Sequence, residues 1–303
     1  MTKHKTLIIV LGPTAVGKTA LSIEIARHLE TEILSADSRQ FFKEMNIGTA
    51  KPSAQELQQV THHFIDSISI KENYNAGIYE IEALACLEKI FLKNDYAILT
   101  GGSGLYINAV TKGFDKLPEA DQQMRENLLK KYKKAGIESL QNELKELDPV
   151  YYHQTDLNNP QRIIRALEVC AATGKPYSDY RTGKQKQRSF DIVQVGLNLS
   201  REELYQKIDL RVDQMMDQGL ENEARLLLHF KDKNALQTVG YKELFDYFEG
   251  KYDLDKAIEL IKQNTRRFAK RQLTWFLKDT ETHWFHPGDL KQIMKLVKRE
   301  KNV

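Results

Sequence analysis

The stretch TLIIVLGPTAVGKT, residues 6–19, decides the fold. Its first half is a nearly unbroken apolar run, which suits a strand covered on both faces, the kind found in parallel sheets. Its second half, GPTAVGKT at 12–19, matches G-x-x-x-x-G-K-[ST] in full, between a strand pattern and a helix pattern as its mechanism requires. Gly12 and Gly17 let the backbone through Pro13, Thr14, Ala15 and Val16 curl so that N–H groups face an anion. Lys18 adds a mobile positive charge, and Thr19 brings a hydroxyl that can hold Mg²⁺. The motif speaks for phosphate and metal and is silent on the molecule that carries the phosphate.

Working outward, TALSIEIARHL places Leu21, Ile25 and Leu29 at helical spacing, and TEILSAD predicts a second strand ending at Asp37. IYEIEALACLEKIFLK is an amphipathic helix, and DYAILTGGSG a strand that runs into a glycine turn. Strands separated by helices imply an α/β parallel sheet, with ligands beyond the carboxyl ends of the strands. Gly12, Asp37 and Ser103 all follow strand ends, so they can converge on one crevice.

From about residue 115 the pattern becomes charged and helical, with Pro160 near the start of one helix and Gly174 at its end. Strand character returns with FDIVQVGLNL at 190–199. The simplest topology is an α/β core, 1–114 and 190–303, interrupted by a helical insertion at 115–189. REELYQKIDLRVDQMMDQGLENEARLLL reads as a long helix broken at Gly219, AIELIKQNTRRFAKRQLTWFLK as a basic helix, and THWFHP as a last strand. There is no internal repeat and no low-complexity linker.

Composition bounds the class. Lys and Arg number 45 against 42 Asp and Glu in 303 residues, a net charge of +3 that selects no partner. The two cysteines, Cys86 and Cys170, are far apart, which argues against a zinc site or disulfide framework and fits a reducing cytoplasm. The opening apolar run ends at Gly-Pro and is a strand, not a signal peptide. No stretch approaches the roughly 18 apolar residues of a membrane helix, so a soluble protein without membrane contact is expected.

Single residues are more open. Asp37 in SADSRQ is placed either to support a metal or accept a proton, or to cap the next turn. Ser103 in TGGSGLY can meet a phosphate or an acceptor, or simply shape a tight turn. Arg162 and Arg165 in QRIIRALE share a helix face. Arg266, Arg267, Lys270 and Arg271 stand beside Phe268, Trp275 and Phe276; both patches suit RNA, and both suit a solvated helix face. Arg211 has Asp209, Asp213 and Asp217 nearby in sequence, which makes a surface ion pair the default. His62 and His63 read as structural.

Taken in order, GPTAVGKT, SADSRQ, MNIGTAKP, HHFIDSI, GGSGLY, NNPQRIIRALEV, VGYKEL and RRFAKRQLTWF closely resemble the bacterial tRNA dimethylallyltransferase family, also called tRNA isopentenyltransferases. The resemblance runs from about residue 7 to 277. It implies transfer of a dimethylallyl group from dimethylallyl diphosphate to the exocyclic amine of the adenosine 3′ to the anticodon, in tRNAs reading codons that begin with U. It implies Mg²⁺, a monomer, and a fold with a P-loop kinase-like parallel sheet core and a helical insertion that grips the anticodon stem-loop. By the family's pattern Asp37 is the general base and Arg211 a ligand of the leaving diphosphate, with Ser103 beside them. Asp37, Ser38, Arg39, Gln40 and Ser103 would contact tRNA, as would Arg125 and the segment Gln161, Arg162, Ile163, Ile164 and Arg165. Many members carry Thr where this chain has Ser103, which keeps the hydroxyl and loosens its rotamer. The ending KLVKREKNV lacks the cysteines of the zinc finger that eukaryotic relatives add. Two other classes compete: a small-molecule P-loop enzyme (a nucleotide kinase or an adenylate isopentenyltransferase), and a non-catalytic RNA-binding NTPase.

Overall fold

The structure, a computed structural model, describes residues 4–118 and 122–299; the outermost residues assigned to the core from sequence, 1–3 and 300–303, lie outside the described residues. The chain divides into two compact units, Met1–Lys112 with Gln187–Val303, and Gly113–Lys186.

The first unit opens with β1 (Thr6–Leu11), whose six residues are all buried, and α1 (Lys18–Leu29), which starts at the end of the glycine loop. Then come β2 (Ile33–Ser35), α2 (Ala54–Gln59), the two-residue β3 (His62–His63), α3 (Ala76–Lys93), β4 (Tyr96–Gly101) and α4 (Gly104–Thr111). β2 is shorter than TEILSAD suggests. Ala36 N still donates to Thr100 O at 2.7 Å, but the chain then turns at Asp37, whose side chain closes the turn on Arg39 N.

The second unit is helical: α5 (Gln122–Leu147), α6 (Pro149–Gln154) and α7 (Pro160–Thr173). α7 is punctuated as its sequence implies. The Asn159 side chain accepts from Arg162 N, Pro160 occupies the first turn, and Gly174 ends the helix in the left-handed region at φ 66°. Leu128, Leu140, Leu144, Ile163, Ile164 and Leu167 form this unit's core. Ile163 and Ile164 are fully buried, so within the segment 161–165 these two side chains pack inward. The apolar stripe of α7 turns inward because burying each such side chain is worth about 1.5–3 kcal/mol.

The chain returns to the first unit as β5 (Asp191–Leu197), α8 (Arg201–Asp217), α9 (Leu220–Leu227), α10 (Tyr241–Phe248), α11 (Leu254–Phe276), β6 (Thr282–Phe285) and α12 (Leu290–Arg299). The break between α8 and α9 falls at Gly219, at φ 97°. The six strands form one sheet in the order β3-β2-β4-β1-β5-β6, and every pairing is parallel. Ile8, Val10, Val193 and Val195 pack under α1 in one core, while Met45, Val212, Leu220, Tyr241 and Ile261 build a second core among α8–α11. Among the described residues no helix is long and apolar enough to cross a membrane.

Candidate active site

Register aligns the strand ends. Leu11 pairs with Gly101 on one side and Gly196 on the other, and Ser35 pairs with Thr100. The segments 12–19, 37–40 and 102–106 therefore leave the sheet along one edge, where parallel α/β sheets bind ligands.

The glycine loop makes its concavity with backbone that most residues avoid. Gly12 lies at φ 149°, Ala15 at 65° and Gly17 at 106°. A Cβ on Gly12 would stand 2.6 Å from Leu197 O, so only glycine lets β1 turn here beside β5. Val16 is buried under the loop, and Lys18 Nζ donates to Pro13 O at 2.9 Å. Burial pushes the Lys18 ammonium down to about 8; Asp37 opposes the shift and Arg211 adds to it.

Arg211, on α8, donates from Nη2 to Thr14 Oγ1, while its buried Nε has no partner. The surface ion pair expected from its acidic neighbours is not formed. Asp209 pairs with Arg266 and Asp213 with Lys262, because both acids lie on the side of α8 that meets α11. Burial lowers the Arg211 pKa, with Asp37 opposing. A buried guanidinium donor left unpaired costs on the order of 1–3 kcal/mol, which suits a site completed by an anion.

Asp37 does cap its turn. Oδ1 accepts from Arg39 N at 3.0 Å, and Asp37 N donates to Ser35 Oγ at 3.3 Å. That bond occupies one carboxylate oxygen and holds the group at the cavity wall. Ser103 fixes the same turn: its Oγ accepts from Ser38 N at 3.1 Å and donates to Ser38 Oγ at 3.2 Å. Arg39 reaches Asn234 O at 2.9 Å, and burial lowers its pKa. Gln40 is spent internally, donating to Thr49 O and Ala50 O.

Several of these groups line a cavity of about 740 Å³. Its lining includes polar Thr14, Asp37, Ser38, Arg39, Ser103 and Arg211, and apolar Val212, Met215, Leu220, Ile261 and Phe276. Hydroxyl and carboxylate oxygens, Thr19 and Asp37, are the donor types a hard cation such as Mg²⁺ prefers. Among the described residues no group of three or more His, Cys, Asp or Glu side chains could hold a metal ion.

Gln272 is a residue the sequence reading missed. Its Oε1 accepts from Thr14 N and its Nε2 donates to Gly102 O, both at 2.9 Å, tying the glycine loop to the β4–α4 turn. The signal was a polar residue within the buried stripe of α11, Ala257, Ile261, Thr265, Ala269, Gln272 and Phe276. Of the aromatics once grouped with the basic residues, Phe276 is buried, while Phe268 and Trp275 are partly exposed and line the cavity.

The remaining expected residues lie on the second unit. Glu168, fully buried, accepts from Arg125 at 2.7 Å and from Arg165 at 3.3 Å, and Arg125 also donates to Gln161 at 2.7 Å. Arg162 is exposed. His62 and His63 serve the fold, bonding Val60 O and Glu32.

With this geometry established, comparison with known proteins is specific. Residues 40–279 match the family described as IPP transferase. A tRNA dimethylallyltransferase of Cytophaga hutchinsonii is 50% identical over 294 residues, covering 97% of each chain. One from Flavobacterium johnsoniae is 54% identical over 287 residues, 93% of each. The crystal structure of a tRNA isopentenylpyrophosphate transferase from Bacillus halodurans superposes with a TM-score of 0.73 at 35% identity, covering 98% of this chain and 97% of that one. A eukaryotic dimethylallyltransferase acting on tRNA gives a TM-score of 0.80 at 26% identity, covering 98% and 77%.

Proposed function

The chain belongs to the IPP transferase family, and from that premise we propose that it is a tRNA dimethylallyltransferase working through Asp37, the glycine loop and Arg211. The donor is dimethylallyl diphosphate. The acceptor is the exocyclic amine of the adenosine 3′ to the anticodon, in tRNAs reading codons that begin with U. The observation that carries the reading is the shared cavity, lined by Thr14 of the glycine loop, by Asp37, by a buried Arg211 whose Nε has no partner, and by apolar Val212, Met215 and Leu220.

The chemistry asks for this arrangement. An adenine amine is a poor nucleophile because its lone pair is delocalised into the ring, so its proton must leave as the carbon–nitrogen bond forms. Asp37 takes that proton while Arg39 N holds its other oxygen in place. As the allylic carbon–oxygen bond breaks, the diphosphate gathers negative charge, which Lys18, the loop N–H groups from Ala15 to Thr19 and Arg211 stabilise as preorganised donors. Thr19 would hold Mg²⁺, which would supply further charge neutralisation when bound. The apolar wall takes the five-carbon chain. The target base leaves its stack to enter, at a cost of roughly a few kcal/mol. Ser38, Arg39 and Ser103 contact the tRNA at the cavity rim, and Arg125, Gln161, Arg162 and Arg165 contact the anticodon stem-loop from the second unit.

The test is incubation with dimethylallyl diphosphate, Mg²⁺ and unmodified tRNA, followed by nucleoside analysis. The prenylated adenosine is expected with the wild-type chain. Asp37→Asn is expected to slow transfer by about 10²–10⁴-fold while tRNA still binds. Equal modification of free AMP, or RNA-stimulated ATP hydrolysis without prenyl product, sinks the proposal.

A further inference from the structure

The loop at residues 45–51 carries no acid, base or nucleophile at the cavity, yet it is held from several sides. Glu223, on α9, accepts from three consecutive backbone N–H groups: Asn46 (3.0 Å) and Ile47 (2.9 Å) on Oε2, and Gly48 (3.0 Å) on Oε1. Oε1 also accepts from the Tyr241 hydroxyl at 2.7 Å. Burial, and then the Glu223 charge, push the Tyr241 phenol up, so it remains a donor. Successive N–H groups converging on one carboxylate form an anion nest whose anion is internal to the protein. Lys51 Nζ donates to Phe42 O (2.6 Å) and Asn46 Oδ1 (2.9 Å), and Gln40 holds the carbonyls of Thr49 and Ala50. A Cβ on Gly48 would lie 2.6 Å from the Tyr241 ring, so the loop is pressed against it.

The loop borders the cavity through Gly48, Thr49 and Ala50, while Ile47 and Ala50 pack on the cluster containing Val212, Met215 and Leu220. Arg211 and Met215 stand four residues apart on α8, hence on one face, and both line the cavity. An allylic chain leaving a diphosphate at Arg211 therefore runs toward Met215 and this loop.

We infer that Glu223 is a positioning residue that fixes the 46–51 loop as the wall at the apolar end of the cavity, and that this wall limits the length of the allylic diphosphate accepted. The inference rests on reading the cavity as a prenyl-donor site. A wall tied by charge-assisted bonds does not yield to five extra carbons, whereas an untied loop of small residues does.

Glu223→Gln keeps the side-chain shape but turns an amide N–H₂ toward backbone donors. The measurement is kcat/KM for geranyl against dimethylallyl diphosphate with the same tRNA. This ratio does not depend on the fraction of active enzyme, so a merely structural role leaves it unmoved. We expect the ratio to rise about tenfold, the size of discrimination a pocket wall supplies, with tRNA affinity unchanged. Tyr241→Phe keeps the ring and the three backbone bonds, and is expected to give a smaller rise in the same direction. An unmoved ratio in folded Glu223→Gln overturns the inference, as does an unmoved ratio in Tyr241→Phe if the first variant does not fold. A wild-type chain that transfers no prenyl group overturns the underlying reading together with this one.

Discussion

Lys18 shows how a motif residue acquires its chemistry from its surroundings. GPTAVGKT names a lysine for phosphate, but only burial beside Arg211 holds its ammonium down to about 8. Deprotonation removes positive charge from the place where the leaving group gathers negative charge, so kcat/KM for the allylic diphosphate falls as pH rises through about 8. A Lys18→Arg variant, charged throughout this range, loses that limb of the profile, and a limb that persists in it assigns the titration elsewhere. Arg211 teaches the converse. Three acids nearby in sequence suggest a surface ion pair, whereas in the fold Asp209 and Asp213 turn to α11 and Arg211 turns to Thr14. Helical spacing orders residues along one element and does not say which neighbouring element each face meets.

Among the elements, α11 settles packing that its sequence left open. RRFAKRQLTWF suits either a basic face for RNA or a solvated helix face with its apolar side inward; one side of the helix packs into the unit and supplies Gln272 to the glycine loop and the β4–α4 turn. Its approach is close because the partner turn is glycine. A Cβ on Gly104 would lie 2.1 Å from Trp275 Nε1, although the Gly104 backbone is ordinary helix. Gly104→Ala is therefore expected to lower stability by about 1–3 kcal/mol, as overpacking does. Thermal unfolding reads it, and an unchanged melting temperature removes the claim that α11 fixes the β4–α4 turn. β2 and β5, by contrast, are legible as strands from their runs of apolar residues, with only the ends displaced.

Across the whole chain, the division of labour proposed here separates chemistry on the first unit from RNA grip on the second. Arg162 tests it cleanly, being exposed on α7, while Arg125 and Arg165 are engaged by buried Glu168. Arg162→Ala is expected to weaken tRNA binding and lower the slope of log affinity against log salt by about 1, with single-turnover transfer at saturating tRNA unchanged. A salt slope equal to wild type takes this residue out of the interface. Ile163 and Ile164 make the same point from the other side: adjacent to Arg162, they are core, because a helix turns neighbouring residues about 100° apart.

The parallel sheet, the glycine loop and the alignment of the strand ends before residues 12, 37 and 103 were readable from the chain, since all three depend on local periodicity and on glycine and lysine at set spacings. The roles of Gln272, Glu223 and Tyr241, the freeing of Arg211 from its acidic neighbours and the burial of Glu168 were decided only in three dimensions. Each depends on which groups the fold brings together, most of them tens or hundreds of residues apart, and local sequence carries no record of that pairing.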